Sequence, residues 1–145
     1  EKKIEDINAI NIENTKLLNN NNNNNNNQHV KHLFVGILNN TMLGIVEDKP
    51  NKSIKNVILS TETILIIKKL SEELFIKYNC KDILLIELLL LLNNKVIIRH
   101  ININPSLLPD SFYVQSANAV SINYTSLINA IFKSAYERNK LLFID

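Results

Sequence analysis

Along residues 60–78 the positions that can face one way recur at three- and four-residue steps. Ile64, Ile67, Ser71, Leu74, Phe75 and Tyr78 share one helical face, and Lys68, Lys69, Glu72, Glu73 and Lys77 fall mostly elsewhere. The pattern predicts a long amphipathic helix. Residues 79–82 supply a polar break in which Asp82 can cap the next element, and residues 83–92 are apolar everywhere except Glu87. A run so rich in Leu is expected to be a second helix, covered on nearly all sides and forming a helical hairpin with the first.

The flanking chain reads as a shell for that hairpin. In VKHLFVGILNN, residues 30–40, Val30, Leu33, Phe34, Ile37 and Leu38 fall on one helical face, and Gly36 would let a neighbouring helix approach. Residues 41–46 give a short apolar turn of helix, and Pro50 suits the first turn of another that holds Ile54, Val57 and Ile58. Residues 95–101 form a brief amphipathic piece, and residues 105–114 a capped turn with Leu107, Leu108 and Phe112 inward. Residues 124–138 carry Leu127, Ile128, Ile131, Phe132 and Ala135 on one stripe behind Thr125 as cap. The expected fold class is all-α.

Composition narrows this further. A chain of 145 residues is one domain's worth, and 46% hydrophobic residues suffice for a core. Two Gly and three Pro are few for a β-rich fold. A formal charge of +2 is far from the dense positive surface of a nucleic-acid binder, so no nucleic acid is expected. Residues 83–92 are too short to span a bilayer and their extension meets Asn93, Asn94 and Lys95, so a soluble protein with no membrane partner is expected. Cys80 is the single cysteine, which excludes an internal disulfide and fits a reducing compartment. Ile4, Ile7 and Ile10 could line a weak helix in residues 1–18, and the Asn run of residues 19–27 reads as a surface insertion. Heavy use of Asn, Ile and Lys resembles proteins of AT-rich protozoan genomes, pointing to a plastid-like organelle (an apicoplast) or the cytoplasm.

VKHLFVGILNN can be laid over LIELLLLLNN, residues 85–94: each is an apolar run ended by an Asn pair and followed by a short apolar segment. Residues 61–83 and 124–145 likewise match as a long amphipathic helix, a polar break and an apolar pair. These residues resemble the double-repeat N-terminal domain of Clp-type AAA+ unfoldases and disaggregases. There a long helix and an aromatic-Ile-Gly/Asp turn precede a helix of the form Glu-His-Leu-Leu-x-Gly/Ala-Leu-Leu. Residues 30–38 match that second helix, whereas Glu87 stands where His is usual in the second copy. The resemblance implies two pseudo-symmetric four-helix repeats within a single domain of residues 1–145. The first would be residues 30–58 plus 117–145, the second residues 59–116, with residues 1–29 as an insertion. The leading helix then comes from the far end of the chain, as in a circular permutation; the alternative is that residues 117–145 begin an incomplete further repeat.

The resemblance also implies a recognition module that binds unfolded or partly folded clients and adaptor proteins for a hexameric AAA+ ring. Tyr124, Thr125 and Glu62, near the starts of the first and fifth helices, are its candidate protein-binding residues. A helical scaffold or dimerisation module is the other reading. Chemistry finds no foothold. His29, His32 and His100 lack carboxylate or Cys partners at ligand spacing, so no metal is expected, and His32 reads as a helix-packing residue. Cys80 has no adjacent nucleophile–base pattern, and no phosphate-binding Gly-rich loop is present. No catalytic residue, no cofactor and no enzymatic activity are therefore expected of the domain.

Overall fold

The computed structural model describes residues 30–49 and 55–140, so the expectations for residues 1–29, Pro50, Ile54 and residues 141–145 lie outside the described residues. The chain forms β1 (Lys31–Leu38), β2 (Thr41–Glu47), β3 (Lys55–Asn56), α1 (Thr61–Lys77), β4 (Ile83–Leu90), β5 (Val96–Asn102), α2 (Phe112–Asn118) and α3 (Tyr124–Lys140). The five strands make one antiparallel sheet in the order β3-β2-β1-β4-β5. The all-α expectation is overturned, and the two four-helix repeats and the permutation go with it.

The runs at residues 30–40 and 83–92, both read as helices, are the central strands, paired with each other from Lys31 opposite Leu90 to Leu38 opposite Ile83. A strand covered on both faces has no polar side to betray its period, so a short apolar run fits either element. Burial in β4 nevertheless alternates strictly, with Leu84, Ile86, Leu88 and Leu90 buried. In β1, Leu33, Val35 and Ile37 face the same way and join them in one core under α1. Phe34, Leu85 and Glu87 belong to the opposite face, because Phe34 pairs with Glu87 across the β1–β4 ladder.

The repeated Asn pairs are hairpin turns. Asn39 and Asn40 have φ of 46° and 66° and join Leu38 to its partner Thr41, the two-residue turn whose left-handed residues match strand twist. Asn94, with φ of 59°, closes the longer β4–β5 turn, where its N–H bonds the Leu91 carbonyl. The likeness between residues 30–46 and 85–98 is thus a likeness between two β-hairpins.

The amphipathic pattern of residues 60–78 does form a helix. Ser60 caps α1 by accepting from Thr63 N–H, and Ile67, Ser71, Leu74 and Phe75 face the sheet. Asp82 caps no helix: it sits at φ 63° and leads into β4. On the other face α2 lies directly on β1 and β2, where Ser116 Oγ accepts from Gly36 N–H and donates to the Gly44 carbonyl. Leu43, Tyr113, Val114, Ala117 and Leu127 make the second core, packed by Leu38, Ile83 and Leu85. Asn123, in place of the expected Thr125, caps α3 by accepting from Ser126 N–H. Of the stripe expected to bury α3, Leu127 is buried while Phe132 stays 70% exposed. The result is a sheet with α1 on one face and α2 with α3 on the other. No helix among the described residues is long and apolar enough to cross a membrane.

Candidate functional site

The α2–α3 layer does not cover its whole face of the sheet. It rests on Leu38, Leu43, Ile83 and Leu85 and, through Phe112, on Phe34, and beside that stack a groove of about 500 Å³ is left open over Glu87, His100 and Asn102. Strand register assembles its floor. Glu87 stands opposite Phe34 on β1 and opposite His100 on β5, and Asn102 follows His100 two positions along the same strand. The far wall comes from the connection into α2, with Asp110, Ser111 and Phe112. Ser111 holds that wall in place by capping α2 at Val114 N–H and donating to the Ser106 carbonyl.

The Phe34 and Phe112 rings stack with centroids 3.8 Å apart and planes 6° from parallel, a flat apolar wall. Beside them His32 tilts against Phe34 at 4.9 Å. The side chain of Glu87 is 18% exposed, and its Oε1 takes His32 Nε2 at 2.5 Å and Arg99 Nε at 3.3 Å. A carboxylate inside an apolar strand needs such partners, since an unpaired buried charge is costly. On its other side His32 Nδ1 lies 3.7 Å from Asp48 Oδ2. Tyr113 lines the groove from below and donates its hydroxyl to the Ile37 carbonyl at 3.0 Å. Burial first, and then the charge of Asp82, push its phenol well above the usual range, so Tyr113 stays a protonated donor and offers no base.

His32 is therefore no helix-packing residue but a strand residue paired with a carboxylate. The expected protein-binding residues lie elsewhere and do not meet: Glu62 is exposed in the first turn of α1, on one face of the sheet, while Tyr124 and Thr125 are exposed at the start of α3, on the other. None of the three lines the groove. The groove residues were missed because helical periodicity hid their common face. The available signal was Glu87 itself, the one charge in an otherwise apolar run, with His100 and Asn102 alternating in VIIRHIN. Among the described residues no group of three or more His, Cys, Asp or Glu side chains is disposed to hold a metal ion.

No protein-family model and no curated protein matches the sequence. Solved structures do match the fold. A D-alanine–D-alanine ligase from Bacillus anthracis complexed with ATP superposes with a TM-score of 0.70 at 17% identity over 77% of this chain. A second structure of the Bacillus anthracis enzyme gives 0.69 at 16% identity over 77%, and the Coxiella burnetii ligase 0.72 at 19% over 81%. The fold is similar to a part of these ligases. It is an α/β arrangement, and identities this low speak for the fold alone. The chain spans 38%, 41% and 35% of the three ligase chains, so it corresponds to a part of the ligase fold. The resemblance to the Clp N-terminal domain is accordingly withdrawn, and with it client capture, adaptor binding and the hexameric AAA+ ring. The helical scaffold falls as well, because the helices expected at residues 30–40 and 83–92 are the central strands of this sheet.

Proposed function

We propose that this chain is a small-molecule-binding part of an ATP-grasp-like fold, that its ligand lies in the groove between Phe34, Glu87 and Phe112, and that this part is not by itself a catalyst and carries no cofactor. The observation behind the reading is the groove: polar side chains from β4, β5 and the α2 approach converge beside Phe34 of β1 on the open stretch of a face that is otherwise covered. Its volume of about 500 Å³ suits a small molecule.

The ligase complexed with ATP raises the question whether a metal-bound nucleotide fits here. Phosphates are met by Arg or Lys, or by a divalent ion held on oxygen ligands. The groove is lined by no Lys or Arg, and among the described residues no group of three or more His, Cys, Asp or Glu side chains is disposed to hold a divalent ion. The lining does not fit a metal–nucleotide.

Two measurements test the reading. Incubation of the full chain with magnesium and ATP is expected to release no phosphate above background; release that Glu87→Gln abolishes would overturn the non-catalytic assignment. Fragment screening by amide NMR is expected to cluster shifts at Phe34, Glu87, His100 and Phe112. Hits that cluster away from these residues would overturn the groove assignment.

A further inference from the structure

The charge of the groove walls points to the chemistry of the ligand, an argument that rests on the groove being the binding site. We infer that it takes a small organic cation, a protonated amine or amidinium on a flat apolar body, in place of a metal–nucleotide.

The groove is lined by two carboxylates, Glu87 and Asp110, and by no Lys or Arg, with the Arg99 guanidinium beside Glu87 and Asp48 behind His32. The lining thus carries acidic groups and no Lys or Arg to balance them. A low-dielectric cleft focuses that potential, so it draws cations and repels polyphosphates. The Glu87 carboxylate is also only half used. Both its partners meet Oε1, and among the described residues no hydrogen bond reaches Oε2. A ligand N–H donating to Oε2 would complete a half-buried acceptor, with the strength of a charge-assisted bond.

Arg99 does not block this. Its side chain is 59% exposed, and exposed ion pairs contribute little, so a ligand cation can share or replace it. Phe112, half-buried and stacked on the buried Phe34, supplies the complementary apolar surface at the groove wall. Carboxylate, apolar aromatic surface and a volume for a small molecule together describe an amidinium or aryl-amine site.

Titration of the full chain with benzamidine, its neutral isostere benzamide and magnesium-ATP, followed by amide NMR, tests the assignment. Benzamidine is expected to shift Phe34, Glu87, His100 and Phe112 and to bind about ten-fold more tightly than benzamide. Its binding should weaken as salt is added. Glu87→Gln is expected to remove most of the preference for benzamidine. Asp110→Asn, at an exposed position, gives a second reading that does not depend on the Glu87 pairs and should reduce the preference about two- to three-fold. Benzamide binding as tightly as benzamidine at these amides, or magnesium-ATP displacing benzamidine from them, would refute the cationic assignment and leave the groove standing. If none of the three probes shifts these amides, the groove reading itself fails and the inference with it.

Discussion

Gly44 is the residue on which α2 sits. A Cβ there would lie 2.4 Å from Ala119 Cβ and 2.8 Å from the Ser116 carbonyl oxygen, and a backbone atom cannot turn aside. Gly44→Ala is expected to destabilise the fold by about 1–3 kcal/mol, since overpacking forces the helix off the sheet. Urea melts check this; an unchanged midpoint would mean that α2 is held less closely than described. Ser71 makes the opposite case. Its Oγ is buried under α1 with no hydrogen-bond partner among the described residues. Ser71→Ala removes an unsatisfied group, so it should leave stability unchanged or raise it by up to about 1 kcal/mol. A lower melting temperature would show that the hydroxyl has a partner. At this scale the sequence was informative about residue type and silent about setting: Ser71 and Ile67 were placed on the inner face of a helix correctly, whereas nothing around Gly44 announces that Ala119 will press on it.

Turns and ties decide how the elements join. Asn40 holds φ 66° between β1 and β2, a conformation that an alanine side chain resists. Asn40→Ala should therefore cost about 1 kcal/mol, and Asn40→Gly should cost nothing or stabilise; equal melts for the two variants would contradict the turn assignment. At the other end of the sheet, Asp82 accepts from Arg138 and from Ser134 and so ties α3 to the start of β4. The Arg138 hydrogen bond, outweighing the opposing effect of burial, holds the Asp82 carboxyl below the usual carboxylate range. A folded pKa below the unfolded one means stability that is present above the unfolded value and lost as pH falls through the folded one. Asp82→Asn, which tolerates the left-handed backbone, is expected to flatten the acid limb of a stability–pH profile below the ordinary carboxylate range and to leave its slope near neutrality unchanged. An unaltered acid limb would remove Asp82 as the tie. Element type was legible where one face is wet, as in α1. It was not legible in β1 and β4, which are apolar on both faces, and there the Asn pairs carried a hairpin signal that was read as the end of a helix.

Across the whole molecule, protection should follow the sheet from its middle outward. Amides of residues 33–37 and 84–88 lie in strands paired on both sides and packed on the core under α1, so they should exchange only through global unfolding. In α3 the one buried residue is Leu127, so that helix should open earlier than α1, which buries five residues. Native-state hydrogen exchange with α3 as protected as β1 would contradict this order. By itself the sequence determined where the chain is apolar, and that residues 60–78 and 124–138 are helical, because amphipathic period is a local property. Only the tertiary structure decided that the two apolar runs lie side by side as strands, because a segment buried on both sides takes its period from its neighbours and not from solvent. The same pairing decided the site. Phe34, Glu87 and His100 are far apart along the chain and become one surface through ladder register, which no single segment encodes.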